Sequence, residues 1–339
     1  MATEVRFRRG TTAQHAAFIG ALAEITVDTD KKTAVVHDGA TPGGFPLVSS
    51  VEISNMMNTL VYDPQGIADD AFDRANHTGQ QAISTIAGLQ ALLDSLGRGY
   101  LRGLTLSNNV ADPTNDIDFA AGVCASDSAV AGIMQHAAGT AQLDVAYGAG
   151  SGGRFDAAIS DGTWHCFVIS DGAAVSRGFS KSLDPTTQPN YPASFTRYRR
   201  VFSVVRVSGV IKAFDQNGDD VLWKASVNDV TDTSPGTSAK TRTLTVPVGF
   251  PVDARLRVLS VGVNQPFRSI VSSLAQNDEA VGNNVNAGGL MSGVPNGQVA
   301  GSMVVRTNSS GQIRTRVESA SGCELYVTTE GYTDRRGRL

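Results

Sequence analysis

The chain has 339 residues, enough for two or three domains with a sizeable core. Its 28 Lys and Arg against 32 Asp and Glu leave a net charge of −4, which argues against nucleic acid as the main partner, because phosphate binding needs a basic face. Charged residues are only 18 % and 36 positions are Gly, the composition of a turn-rich β protein or of an assembly that hides surface between subunits.

Residues 4 to 47 read as the first unit. A basic cluster, Arg6, Arg8 and Arg9, precedes Gly10. Thr11 or Thr12 can cap a short helix over Ala13 to Phe18, its hydroxyl accepting from an orphan N–H. Ile25-Thr26-Val27 and Thr33 to Val36 flank a polar turn over Asp28 to Lys32 and read as a β-hairpin. Asp38-Gly39 and Pro42-Gly43-Gly44 close the unit.

Residues 48 to 79 have the composition of a connector, with a short helix possible over Asp69 to Ala75. In residues 80 to 97, Ile83, Ile86, Gln90, Leu93 and Gly97 fall at alternating three- and four-residue spacing, with Leu89, Leu92 and Leu96 alongside. That is a helix seam, with Ile83, Ile86, Leu89, Leu93 and Leu96 as its apolar members. A seam of about two heptads is marginal alone. It is held either by like copies around an axis or by packing on its own domain.

From residue 100 the pattern becomes short strands separated by turns. Arg197 to Ser208 alternates, with Val201, Ser203, Val205 and Val207 on one face. Thr163 to Ser170 is a second strand, and Asn217-Gly218 reads as a hairpin turn between Val210–Phe214 and Val221–Lys224. Residues 230 to 238 read as a linker. Strands resume over Lys240–Val246, Arg255–Val263, Met303–Thr307, Ile313–Val317 and Cys323–Thr329. Strands at this spacing without helices predict β-sandwiches or jelly rolls.

Little in the chain reads as chemistry. Cys124, Cys166 and Cys323 are too few and too far apart for a disulfide framework or a zinc site, and are expected as buried thiols of a protein folded in a reducing cytoplasm. Met1 to Glu4 leads into charge, so no signal peptide is expected, and no run approaches the ~20 apolar residues of a membrane helix. Asp215 to Asp220 has its Gly at the wrong place for a calcium loop and reads as a polar turn. None of His15, His37, His77, His136 and His165 forms a metal-ligand pair, and His165 in its apolar strand is expected as a satisfied core or interface residue. No nucleophile elbow and no dinucleotide-binding glycine turn is present. No catalytic residue, cofactor or metal is expected. Arg335-Arg336-Gly337-Arg338 reads as a frayed tail.

The opening stretch resembles the N-terminal domain of phage tail-fibre and receptor-binding proteins, in particular the major tropism determinant N-terminal family. Arg8-Arg9-Gly10-Thr11-Thr12, Glu24 to Asp28, Asp30-Lys31-Lys32 and Val35 to Gly39 carry the resemblance. Phe72 to Gly79 followed by Ile83 to Leu89 is similar to a segment that recurs between fibre domains. Gly103 to Asn109, Asn115 to Asp118 and Tyr198-Arg199-Arg200 also resemble a recurring tail-protein domain.

The resemblance implies a mainly β homotrimer of the virion. The resemblance covers roughly residues 1–225 and implies a β-prism-like domain at 1–50. The seam and strand patterns add a connector with a short coiled-coil helix at 51–98 and two β-sandwich or jelly-roll-like domains at 99–230 and 231–339. The last carries no motif of the resemblance and is placed as the distal tip by position. Arg6, Arg8, Arg9, Asp28, Asp30, His37 and Asp38 are the candidates for docking on tail or baseplate proteins and for trimer contacts. The distal domain would bind a host surface glycan or outer-membrane protein. The long Asn- and Gly-rich segment Asn277 to Gln298 supplies the contact candidates Asn277, Asp278, Asn283, Asn284, Asn286, Asn296 and Gln298. The expected place is the phage tail, after assembly in the host cytoplasm, with no membrane insertion. A fibre shaft without its own receptor site stays open. A capsule depolymerase is disfavoured, because no regular short repeat of a β-helix is present.

Overall fold

Alternating and wholly apolar runs make the chain mainly β. The computed structural model describes residues 4–48, 53, 86–89, 99–148, 152–262, 267–282, 289–292, 296–319 and 321–336. Two compact units divide the chain, Met1–Thr85 and Ile86–Leu339.

In the first unit, β1 (Arg8–Gly10), β2 (Ile25–Asp28), β3 (Thr33–Val36) and β4 (Phe45–Pro46) form one sheet in that order. β1 runs parallel to β2, and β2 and β3 are the expected hairpin, with Ile25 opposite Val36. The helix α1 is one turn, Thr12–His15, shorter than expected. Thr11 caps it reciprocally: its hydroxyl accepts from the Gln14 N–H, and its own N–H donates to Gln14 Oε1. The helix stops where the Phe18 N–H turns back to the His15 carbonyl, which frees Gly20 to approach His37.

The second unit opens with β5 (Leu101–Gly103), β6 (Leu106–Asn108), β7 (Asp116–Phe119), β8 (Gly122–Ala125), β9 (Ile133–His136) and β10 (Gly139–Ala146). It continues through β11 (Gly153–Arg154), β12 (Gly162–Ser170), β13 (Val175–Ser180), β14 (Arg197–Val207) and β15 (Val210–Ile211). Eight of these form a sheet in the order β15-β14-β12-β13-β11-β10-β7-β6, and β5-β8-β9 form another. β12 is buried on both faces from Thr163 to Ser170. The faces of β14 are likewise both buried from Arg199 to Val205, so the Val201-Ser203-Val205 face and the Phe202-Val204 face are both covered.

Nine further strands follow: β16 (Phe214–Asn217), β17 (Asp220–Asp232), β18 (Lys240–Thr243), β19 (Asp253–Gly262), β20 (Phe267–Ser273), β21 (Gly289–Ser292), β22 (Gln298–Arg306), β23 (Gln312–Val317) and β24 (Cys323–Thr333). One sheet has the order β16-β17-β24-β19-β22, the other β18-β23-β20-β21. Their burial alternates along β19, β23 and β24, and the inward side chains Leu256, Val258, Phe267, Ile313, Leu325 and Val327 share one hydrophobic cluster.

Several expectations shift. Val210–Ile211 does not lead into the Asn-Gly hairpin but folds back on β14 over Ser208-Gly209. Both turn residues have positive φ, +51° and +82°, the conformation a tight two-residue hairpin requires. The next hairpin pairs Asn217 with Asp220, so its loop is Gly218-Asp219. Residues 230–232, read as the start of a linker, end β17, and β18 stops at Thr243. The segment 277–298 contains β21 rather than one continuous loop. Arg336 is buried, not frayed. Cys124, Cys166 and Cys323 are all buried free thiols, and burial pushes Cys124 up to about 12.

Candidate functional site

The first unit has an inverted character. Among the described residues its buried side chains are mostly polar, namely His15, Thr26, Asp28, Thr33 and His37, with Val35 the buried hydrophobic among them. Val5, Phe7, Ile19, Leu22, Ile25, Phe45, Leu47 and Val48 are all exposed, Leu22 by 78 %.

Three members of the polar core, His37, Thr26 and His15, form one hydrogen-bonded chain whose proton positions are dictated by its ends. The Gly20 N–H donates to His37 Nδ1 (3.3 Å), so His37 carries its proton on Nε2. That Nε2–H donates to Thr26 Oγ1 at 2.8 Å. At the other end His15 Nδ1 faces the Thr11 carbonyl (3.0 Å) and must donate. His15 Nε2 therefore accepts from the Thr26 hydroxyl, also at 2.8 Å. Thr26 thus receives from one imidazole and gives to the other, and the two rings lie parallel at 6.2 Å.

The proposed docking residues separate into two sets. Arg6, Arg8 and Arg9 are exposed. Arg6 pairs with Glu4 (3.0 Å), and Arg8 pairs with Glu24 (3.1 Å) while lying 5.1 Å from the Phe18 ring centre. Arg8 and Arg9 flank a shallow depression of about 270 Å³ that reaches His15 and Thr26. The acidic members work within the unit. Burial alone would raise the Asp28 carboxyl, but hydrogen bonds from the Lys31 N–H, the Thr12 hydroxyl and the Asp30 N–H outweigh it and hold it below the usual range. Asp30 accepts from the Thr12 N–H. Asp38 accepts from the Thr41 N–H and hydroxyl and the Ala40 N–H, which hold it down to about 2. His37 is enclosed by the hydrogen-bond chain. Neither Asp28 nor His37 offers a surface for contact.

Of the seam residues, Ile86 and Leu89 belong to a turn in which the Leu89 N–H donates to the Ile86 carbonyl, and Ile86 is exposed. Ile83, Leu93 and Leu96 lie outside the described residues, as does His77.

In the distal segment, Asn277 and Asp278 border a small hollow of about 40 Å³ with Arg314 and Arg316. Asp278 pairs with Arg316 at 3.0 Å, and Arg314 donates to the Gln276 carbonyl. Asn296 sits exposed at φ +58°, and Gln298 opens β22 at the surface. Asn283, Asn284 and Asn286 lie outside the described residues.

A larger cleft was not anticipated. It measures about 390 Å³ and lies where β14, the residues before β19, and the end of β24 come together. Leu183, Phe250 and Pro251 form its apolar wall. Arg200 lies over the Phe250 ring at 3.9 Å and forms a bidentate pair with Asp334. At the rim, Asp253 receives Arg306 Nε at 2.9 Å and stands 3.6 Å from Arg335. A sign in the sequence was Arg199-Arg200, two adjacent charges leading into the apolar pair Val201-Phe202 of β14. His165 is buried below, bonded to Ser203 Oγ at 2.9 Å, and its ring centre lies 5.7 Å from that of Phe250. Among the described residues, no group of three or more His, Cys, Asp and Glu could hold a metal ion, and no helix is long and apolar enough to cross a membrane.

Residues 5–41 match the Major tropism determinant N-terminal domain. The chain is 77 % identical over 47 residues to the tail fiber receptor-binding protein of Bordetella phage BPP-1, a stretch that is 14 % of this chain and 12 % of that protein. Among solved structures it is similar to the Major Tropism Determinant I1 variant, at 20 % identity and a TM-score of 0.24, over 64 % of this chain and 48 % of the other. The P3c variant is matched at 20 % identity and a TM-score of 0.25, over 74 % and 56 %. The matched region thus spans about half the length of these solved relatives and a small part of the curated one.

Proposed function

We propose that this chain is a phage tail-fibre protein that attaches the particle to a bacterial surface by binding, without catalysis. The observation that carries the reading is the 77 % identity over 47 residues to a phage tail fiber receptor-binding protein. The first unit is the virion-docking and trimer-forming part. The exposed large apolar side chains over residues 5–48, eight among the described residues, are the mark of a surface meant to be covered. Arg6, Arg8 and Arg9 lie on the exposed surface of the same unit and face either neighbouring copies or the tail protein. The β-rich remainder, above all 231–339, displays the host-binding surface for a glycan or outer-membrane protein. Three copies on one fibre, and several fibres on one particle, raise weak single contacts by effective concentration. The chain belongs in the phage tail, assembled in the host cytoplasm.

Light scattering and cell labelling test this together. The purified full chain is expected to have three times the monomer mass and to decorate host cells in flow cytometry. A trimer that decorates no cell would support a shaft carrying another adhesin instead, and a monomer would remove the trimer from the account.

A further inference from the structure

The cleft at the end of β19 has a charge imbalance that names its ligand class. Inside it, Arg200 and Asp334 neutralise each other in a bidentate pair. At the rim two guanidinium groups, Arg306 and Arg335, share the single carboxylate of Asp253. Among the described residues one positive charge is left over. Arg306 is bound to Asp253 through Nε only. Arg335 approaches Asp253 no closer than 3.6 Å, beyond hydrogen-bond reach, and makes no hydrogen bond among the described residues. Both side chains are more than half exposed, 58 % and 57 %, so their planar donor forks are open to a ligand. A single surplus charge suits a monoanion better than a phosphomonoester carrying about −1.5 to −2.

The other wall is apolar. Leu183, 42 % exposed, and Phe250 and Pro251 line it, while the buried Arg200 covers one face of Phe250. A volume of about 390 Å³ falls within the range of small-ligand sites, roughly 300 to 1,000 Å³. A ligand matching both walls has a carboxylate at one end and a compact body with an apolar face.

We infer that this cleft is a subsite for a carboxylate-bearing sugar, a uronic or sialic type of residue in a surface polysaccharide. Arg335 and Arg306 hold the carboxylate in charge-assisted hydrogen bonds, and Leu183, Phe250 and Pro251 receive the C–H face of the ring. The inference rests on the receptor-binding reading and narrows it to one chemical class.

The test is titration of the full chain with glucuronate, galacturonate and N-acetylneuraminate, followed by calorimetry and saturation-transfer NMR. Galactose and glucose 6-phosphate serve as neutral and phosphorylated comparators. At least one acid should bind, with the comparators weaker by about tenfold or more, and Arg335→Gln and Arg306→Gln should each weaken that acid by about tenfold without moving the melting temperature. Binding of none of the three acids overturns the proposal, as does equal binding of a comparator or indifference to Arg335→Gln. Cell labelling separates the two levels. Wild type and Arg335→Gln decorating host cells equally would remove the cleft and leave the receptor reading standing. Wild type decorating no cells would remove the receptor reading, while the sugar titration would still decide the cleft.

Discussion

Arg200 and Asp334 stand 134 positions apart in the chain and meet in a bidentate ion pair, Nη1 to Oδ2 at 2.6 Å and Nη2 to Oδ1 at 2.9 Å. The pair fastens the end of the chain onto β14. Asp334 also accepts from the Arg336 N–H, and the Arg336 carbonyl accepts from Arg199 Nη2 at 2.9 Å. Arg199 in turn pairs with Asp127, and Arg336 Nε pairs with Asp219 at 3.0 Å. Removing one partner of Arg200 and Asp334 leaves a buried charge without compensation. Asp334→Ala should therefore cost about 3 to 5 kcal/mol in denaturant unfolding, whereas the joint change Arg200→Met with Asp334→Leu should recover most of it. A double variant whose loss equals the sum of the losses of Arg200→Met and Asp334→Leu alone would show that the pair is not coupled.

Thr26 links two imidazoles whose proton positions follow from Gly20 and Thr11. Nitrogen NMR of the histidines should find His37 protonated on Nε2 and His15 on Nδ1 at neutral pH. Thr26→Val keeps the shape but leaves two buried ring nitrogens without partners. It should destabilise the first unit by at least about 2 kcal/mol, read from amide exchange of β2 and β3. The opposite tautomers would break the proposed order of donors.

The His37 ring is pressed between two glycines. A Cβ on Gly20 would lie 2.5 Å from His37 Cγ, and one on Gly44, at φ +57°, would lie 2.7 Å from His37 Nδ1. Gly20→Ala should cost about 1 to 3 kcal/mol through overpacking and should shift the His37 ring signals. An unchanged His37 spectrum would mean that the ring has room.

His165 makes stability depend on pH. Burial, then the positive charge of Arg200, lower it from 6.5 to about 3, with Asp334 acting the other way. Between those values the unfolded chain holds the proton and the folded chain does not, so stability is full above pH 6.5 and falls as pH drops toward 3. The slope from this one group is about 1.4 kcal/mol per pH unit. Burial and the charge of Arg177 lower His136 in the same direction. His165→Gln should flatten the melting temperature between pH 6 and pH 4, on the order of one proton's linkage. An equally steep curve in the variant would place the dependence elsewhere.

The strands were legible where local pattern alone decides them. The β2–β3 hairpin and the buried His165 follow from apolar runs bounded by turn residues. The Asn217-Gly218 turn was placed one residue early, and the Ser208-Gly209 turn was not read at all, because it closes a hairpin only by adopting positive φ, which a serine does not announce. The cleft was not legible, since Arg200 meets Asp334, and Asp253 meets Arg306, through strand pairings across many residues. Arg336 looked like a tail residue because its partner Asp219 sits in a hairpin that reads as surface. Within the docking candidates, composition could not tell the exposed arginines from Asp28 and His37, whose partners lie inside the same unit.

The central claim is that the chain itself recognises the host. Host cells preincubated with the purified full chain, then challenged with phage, give the most direct test through the count of unadsorbed particles. The account expects a saturable, dose-dependent rise in unadsorbed phage, and adsorption unchanged at concentrations that saturate the cell surface would contradict it.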